Sequence, residues 1–271
     1  MRVAVLGHVE WVEFLRVERV PHAGEIIQGT PVVGVPAGGG GVAAVALARW
    51  GAEVPFFTAL GDDDLGHRAK DDLARRGVIV HAAFRSEYQR RALTLVDAQR
   101  ERTIILSGDR HVAHAADPLP WDALASCDGV YITGGDVEAV RRARAARVVV
   151  GTSRVLPLFR AAGIQLDALV GSENDVAEVY RDGDLEPRPR LVVRTDGARG
   201  GYYVFPDGTR QTWTPAPVVV RGDSYGAGDT FAAALTFALA EQRTPGDAVM
   251  FAATRAAEVL GFDGPYPPGD Q

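Results

Sequence analysis

Apolar runs rich in Val, Ile, Leu and Phe recur along the chain, separated by stretches in which apolar positions return every three or four residues. The runs have the length and β-branched content of buried strands, and the stretches between them carry the helical period. VAVLG at 3–7, a helix from about Val42 to Trp50 and VPFFTAL at 54–60 form the first such unit. HRAKDDLARRG at 67–77 follows as a helix, with Gly77 placed to end it in a left-handed turn. GVYITG at 129–134 comes next, then VEAVRRARAA leading into VVVGTS, and LFRAAG leading into ALVGS. LVVRTD and GYYVF follow, and two helices from about Thr230 to Gly261 close the pattern. Repeated βα order predicts an α/β fold with a mainly parallel sheet, helices on both faces and ligands at the carboxyl ends of the strands. Two segments break the rhythm: 11–35 and 90–106 read as extended strands with turns. The residues after Phe262, rich in Pro and Gly, are predicted to be irregular. No linker, repeat or low-complexity tract divides the chain, so one domain over 1–271 is expected.

Composition narrows the function. A chain of 271 residues that is 46% hydrophobic can bury the core of one large α/β domain. A net charge of −6 without a basic block argues against nucleic-acid binding. The densest basic stretch, 141–147, alternates Arg with Ala and reads as a solvated helix face. The single cysteine, Cys127, excludes an internal disulfide and a cysteine-based metal site, and its place before a strand suits a small buried residue. No run approaches the ~18 apolar residues of a membrane span. The first residues read as a strand rather than a signal peptide, so a cytoplasmic protein is expected.

The chemistry concentrates in DSYGAGDTFAAALTFALA at 223–240. Gly226, Ala227 and Gly228 lead without a break into an alanine-rich helical run. Small residues let the backbone approach a ligand, and the free N–H groups of a first helical turn favour an anion there. Asp229 follows directly. A carboxylate beside an anion site repels a phosphate unless it takes a proton from a group reacting with that phosphate. Loop, anion hole and base together describe a phosphoryl-transfer site. An aspartate that merely decorates the first turn of a helix describes the same residues equally well.

The segment DSYGAGDTF resembles the C-terminal signature of the ribokinase-like (PfkB) family of sugar and nucleoside kinases, DTxGAGDxF, with Ser224 as the one departure. Other landmarks of that family occur in its order along nearly the whole chain. VAVLG is similar to its opening strand, PHAGE at 21–25 to its P-x-x-G-E turn, and AGGGGVAAVALARWG at 37–51 to its N-terminal glycine signature. GDDDLG at 61–66 matches its G-x-D-x-x-G loop, and TDGARGG at 195–201 its T-x-G-x-x-G. The resemblance implies a three-layer α/β/α fold with a small β lid over the acceptor, built from about 12–35 and 90–106. It implies ATP and Mg²⁺ as cofactors, leaves room for a monovalent cation, and suggests a homodimer joined through the lid. Asp229 then matches the catalytic base, and the backbone N–H groups of Gly226, Ala227 and Gly228 the anion hole. Thr195, Gly197, Gly200 and Ser172 fall on the nucleotide side, although Thr195-Asp196-Gly197 alone also describes an ordinary turn after a strand. Asp223 suits a structural or cation-associated role.

Several family positions are altered. The asparagine that contacts the sugar falls at Val42, and the aspartate that grips sugar hydroxyls falls at Val12, which makes ordinary ribose or hexose doubtful acceptors. Glu10 projects to the same strand face as Val12 and His8, where it either replaces the missing carboxylate or faces solvent, as Glu13 would. His8 reads more readily as a structural histidine than as a ligand. The run 38–41 puts Gly38 and Gly39 at the acceptor, either for close backbone approach or as a hinge of the lid. Arg90 and Arg91 either meet an anionic group of the substrate or decorate an edge strand. The family's magnesium-associated N-x-x-E is blurred: the preferred register sets Ser172 on its Asn and Asp175 on its Glu, with an indirect metal role, while the alternative recovers Asn174 and puts Ala177 on the Glu.

Three functions fit these residues. A kinase acting on a hydroxyl of a small sugar-like or nucleoside acceptor uses every motif. A non-catalytic ligand-binding or regulatory protein on the same fold would explain Val12 and Val42 but leaves Asp229 without a task. A dinucleotide-dependent oxidoreductase lacks the G-x-G-x-x-G turn after the first strand.

Overall fold

The computed structural model describes residues 1–267. In chain order the first half contains β1 (Val3–Leu6), β2 (Glu10–Arg16), β3 (Thr30–Ala37), α1 (Gly38–Arg49), β4 (Val54–Gly61), α2 (Asp64–Arg75), β5 (Val78–Arg85), β6 (Arg91–Val96) and β7 (Arg102–Ser107). The second half contains β8 (Gly129–Ile132), α3 (Val137–Ala143), β9 (Val148–Thr152), α4 (Leu156–Ala162), β10 (Ala168–Ser172), β11 (Val192–Thr195), β12 (Gly201–Val204), β13 (Arg210–Trp213), α5 (Ala227–Ala240) and α6 (Pro245–Val259). Nine strands form the central sheet in the order β13-β12-β11-β10-β9-β8-β1-β4-β5. It is parallel from β11 to β5, and β12 and β13 add an antiparallel edge.

Strand alternation divides the core into two layers. On β1, Val3 and Val5 face the cluster formed with α1, α2, α5 and α6, while Ala4 and Leu6 face the one formed with α3 and α4. Phe56 and Phe57 on β4 part in the same way. This is the ribokinase-like α/β/α arrangement. Gly77, in a left-handed conformation at φ +85°, stops α2 one residue past its cap.

A second, four-stranded sheet, β3-β2-β6-β7, comes from the two segments that break the βα rhythm. Only residues 7–9 separate β1 from β2, so this sheet stands on the carboxyl end of β1. Its outer strand β7 is exposed at every position.

Helix α1 starts at Gly38, earlier than the expected Val42, so the glycine run forms the first helical turn rather than a flexible hinge. Glycine is a poor helix former, and close packing explains its use here. A Cβ on Gly40 would lie 2.7 Å from the His8 carbonyl oxygen and 2.8 Å from the Phe56 ring. Gly38, at φ +76°, turns the chain out of β3 in a conformation that side-chain-bearing residues avoid.

The loop GDDDLG acts as a lock between the sheets. Asp63 caps α2 by accepting from the Gly66 N–H at 2.9 Å, and its second oxygen accepts from the Gln89 N–H at 3.1 Å. Gln89 is buried, accepting from the Gly61 N–H at 3.0 Å and donating to the Val9 carbonyl at 2.9 Å. A Cβ on Gly61 would lie 2.2 Å from the Gln89 nitrogen, and one on Gly66 would lie 1.9 Å from the Gly61 oxygen, so only glycine fits at either place. Removing Asp63 leaves two inward N–H groups without an acceptor. Asp63→Ala is expected to lower stability by about 1–3 kcal/mol in urea unfolding. Asp62→Ala, which breaks only the exposed contact to His67, should cost less than about 1 kcal/mol.

Candidate active site

Asp229 sits in the first turn of α5, which is capped by Gly226 at φ +77°. A Cβ on Gly226 would meet Val42 Cγ1 at 2.9 Å, so conformation and packing both require glycine there. Beside Gly228 there is open space. Among the described residues the N–H groups of Gly226 and Gly228 have no hydrogen-bond partner, while that of Ala227 donates to the Ser224 carbonyl at 3.3 Å. The expected three-donor hole therefore reduces to two free donors at a helix N-terminus.

The glycine run of α1 closes on Asp229. A Cβ on Gly39 would lie 2.9 Å from Asp229 Oδ1 and 3.2 Å from Thr133 Oγ1. The Tyr131 hydroxyl, at the end of β8, donates to Asp229 Oδ1 at 3.5 Å. Burial pushes the Asp229 carboxyl up to about 6; Glu178 adds to the rise, and Arg154 and the Tyr131 hydroxyl oppose it. Burial also raises the Tyr131 hydroxyl far above its usual range, with the Asp229 charge next in effect. A partly buried carboxylate whose affinity for a proton is raised toward neutrality has the properties of a general base.

Tyr225 couples the two glycine segments. Its hydroxyl accepts from the Gly38 N–H at 3.3 Å, and its ring packs edge-to-face on Phe14 at 5.0 Å. Its own N–H donates to Asp223 at 2.7 Å, and the second Asp223 oxygen accepts from the Gly264 N–H at 2.8 Å. With both oxygens taken by backbone donors, buried Asp223 has a structural role.

At the mouth of the second sheet, Glu10 is buried and turns inward. It accepts from Arg90 Nε at 2.9 Å and lies 3.8 Å from His8 Nε2. A Cβ on Gly38 would lie 3.2 Å from the Glu10 Cγ, so this ion pair borders the glycine run. His8 bonds Thr133 Oγ1 through Nδ1 at 3.2 Å and is pushed down to about 3 by burial, then by Arg110 and Arg90, so it is a neutral structural histidine. Glu13 and Arg91 pair with each other on the exposed side of the sheet.

Val12 and Val42, expected at the substrate, are sealed in the core, fully and almost fully buried. Their isopropyl groups close these positions against Val35, Ala92 and the Gly226 backbone instead of lining a polar site.

The carboxyl ends of β10 and β11 bring Ser172 opposite Thr195. The Ser172 N–H donates to Glu178 Oε2 at 2.7 Å, its hydroxyl accepts from the Asn174 N–H, and the Asn174 amide donates to Asp196 at 3.1 Å. Gly197 and Gly200 bracket a tight turn at φ +54° and +90°. Asp175 accepts from the Ala177 N–H and pairs with Arg154 at 2.5 Å. The carboxylate that acts most on Asp229 is Glu178, also held by Arg154, at 2.7 Å, with Glu10 adding to its effect. Neither N-x-x-E register considered from sequence selects Glu178, which lies one residue beyond the shifted register. Tyr131 and Arg154 were also missed; one lies near the end of a strand and the other just after one, and only the order of strands in the sheet brings them to Asp229.

Comparison with known proteins places this geometry in a family. The model of the pfkB family carbohydrate kinases matches residues 1–152 and 164–268, so the chain belongs to that family and is a kinase. It is 25% identical to a ribokinase of Bacillus subtilis over 95% of this chain and 92% of the relative. It is 29% identical to an ATP-dependent ribose-1-phosphate kinase of Halopiger xanaduensis over 86% and 83%. In structure it resembles an Arabidopsis thaliana ribokinase complexed with ribose and ATP, with a TM-score of 0.76, 18% identity and coverage of 97% and 93%.

The raised carboxyl also affects stability. Asp229 ionises near 3.8 when unfolded and near 6 when folded, so the folded form binds the extra proton between those values, and above about pH 6 the carboxylate opposes folding in full. Asp229→Asn is expected to stabilise the protein at pH 8 by up to about 3 kcal/mol. The gain should shrink as pH falls and vanish below about pH 4, as measured by urea unfolding across pH.

Proposed function

We propose that the chain transfers the γ-phosphoryl group of ATP to a hydroxyl of a small sugar-like or nucleoside acceptor, with Asp229 as the general base. The observation that carries this reading is Asp229 itself: a carboxyl raised to about 6, flush against the Gly39 backbone and one residue past the unpaired N–H of Gly228. Asp229 takes the acceptor hydroxyl's proton as that oxygen bonds to phosphorus, and the bond to the ADP oxygen breaks. The N–H groups of Gly226 and Gly228 face the developing negative charge, each such donor being worth roughly 3 kcal/mol in a well-formed hole. Ser172, Thr195, Gly197 and Gly200, at the ends of adjacent strands, supply the nucleotide side, where the ATP of the Arabidopsis relative gives a precedent.

Magnesium is less well provided for. The described residues hold no group of three or more His, Cys, Asp or Glu able to chelate an ion. Asp175 and Glu178 are already engaged by backbone N–H groups and Arg154. Mg²⁺ therefore belongs with the nucleotide phosphates, and no step here depends on a protein-held ion. No helix among the described residues is long and apolar enough to cross a membrane, in keeping with small-molecule chemistry.

Loss of the base gives the first test. Asp229→Asn should reduce ADP formation by at least ~10²-fold while ATP binding persists; retention of more than about a tenth of wild-type turnover would refute the assignment. In the wild type, kcat/KM should fall as pH drops through about 6, because the protonated carboxyl cannot accept the hydroxyl proton. A flat profile between pH 5 and pH 8 with chemistry rate-limiting would contradict the role of Asp229. ATP with Mg²⁺ should raise the melting temperature and NAD(P) should not; the reverse would favour the oxidoreductase, and nucleotide binding without turnover of any acceptor would favour a binding protein.

A further inference from the structure

The signature DTxGAGDxF leaves the residue before its first glycine open, and in this chain that residue is Tyr225. The side chain does not turn to solvent. Only 7% of it is exposed, and it joins the apolar cluster that contains Val12, Phe14 and Val42. Its course is fixed at three points: the backbone by Asp223, the ring by Phe14 of β2, and the hydroxyl by the Gly38 N–H at the start of α1. The second sheet is tied down around this ring. Arg100, in the turn between β6 and β7, donates to the Gly222 carbonyl at 3.3 Å, and Arg16 at the end of β2 pairs with Asp263 at 2.5 Å. The Arg102 guanidinium of β7 lies 5.9 Å from the centre of the Tyr225 ring.

This placement fills a particular space. Alternation along β2 puts Glu10, Val12 and Phe14 on one buried face. Glu10 borders Gly38 at one end of that face, and Phe14 carries the Tyr225 ring at the other. Tyr225 therefore spans from the inner face of the second sheet to the first N–H of the glycine run. One residue further on, a Cβ on Gly39 would lie 2.9 Å from Asp229 Oδ1, so the span ends beside the proposed base. Of the backbone donors at the start of α1, that of Gly40 goes to the His8 carbonyl at 3.1 Å and that of Gly38 to Tyr225. Burial, and after it the Glu10 charge, raises the Tyr225 hydroxyl above its ordinary range, so it stays uncharged. It presents to Gly38 the same group that a sugar would present. A sugar hydroxyl arriving there meets an occupied donor and a close-packed ring.

We propose that Tyr225 is a specificity-determining residue: it fills the Gly38 end of the acceptor site, takes the Gly38 N–H with its own hydroxyl, and so selects acceptors that carry no hydroxyl toward Gly38. Neutral pentoses and hexoses, hydroxylated at every carbon, are turned away by the ring and by the loss of a donor for one of their hydroxyls. The inference deepens the kinase reading and rests on it for the transfer step, while the filled space is testable by binding alone. Tyr225 takes no part in proton transfer.

The experiment uses the full chain as wild type, Tyr225→Leu and Tyr225→Ala, with ribose and fructose as probes. Leucine still packs against Phe14 but cannot accept from Gly38, and alanine removes the side chain almost entirely. Both free the same N–H, so the leucine variant decides the matter if the alanine variant does not fold. Sugar-induced shifts in melting temperature and ADP release with ATP and Mg²⁺ are measured at equal sugar concentration. At least one of the two sugars is expected to raise the melting temperature of Tyr225→Leu and not that of the wild type. Its kcat/KM should rise by about 10-fold or more, the scale of one recovered hydrogen bond, with a larger gain in Tyr225→Ala. A residue with a merely structural role gives the opposite, a loss with every acceptor. Absence of a gain with either sugar in Tyr225→Leu overturns the assignment without touching the kinase reading. The same holds for a wild type that already uses ribose or fructose as well as the variants do. If the variants bind a sugar that the wild type does not, yet release no ADP, the filled site stands and the kinase reading falls.

Discussion

The site depends on the contact between one helical turn without side chains and the end of the central sheet. The first turn of α1 is four consecutive glycines, and hydrogen atoms in place of side chains let it settle on His8, Phe56, Thr133 and Asp229 at distances that a methyl group would violate. That approach sets the position of everything that matters chemically. It puts the Asp229 side chain against backbone, and burial raises its carboxyl; it presses Val42 against Gly226 and so fixes the cap of α5; and it brings Gly38 to the Tyr225 hydroxyl. Glycine's low helix propensity costs about 1 kcal/mol per position, and the tertiary packing offsets it.

Fold and site differed in how well they could be read from sequence. Strands such as VAVLG and helices such as α5 and α6 announce themselves through period and composition, because core and surface differ in hydrophobicity along every element. The start of α1 did not, since four glycines carry neither propensity nor period, and only packing makes them helical. Of the site residues, Asp229 and the glycines beside it share one local segment and were visible as a motif. Glu178, Arg154 and Tyr131 reach the same place from separate strands and loops, and nothing in local sequence records that β8 and β9 neighbour each other at this end of the sheet. Val12 and Val42 show a different limit. Counting along the motifs set them at ligand positions, whereas both side chains are buried in the core.

Electrostatically the site is divided. On one side, beyond the ends of β9 and β10, Arg154 is neutralised by two carboxylates, and the backbone of the α5 cap supplies free donors. On the other side, buried His8 stays neutral and Glu10 spends its charge on Arg90. Asp229 lies between the two regions, and burial, not any single neighbour, dominates its affinity for a proton. A bound phosphate near either side would raise that affinity further, as a nearby negative charge does for any carboxylate.

The lock formed by Asp63, Gly61, Gly66 and Gln89 has an evolutionary consequence. It ties the frame of the second sheet to α2 and to the stem of Arg90 through buried hydrogen bonds, so changes there put the fold at risk. The loop carrying Arg110 lies outside the lock and is held at Gly108, His111 and Val112. Mutations in that loop can exchange charge for hydroxyl or apolar groups with little effect on stability. Selection on such a protein can therefore vary the chemistry of that one short surface segment by drift, while the buried frame beside it stays under constraint.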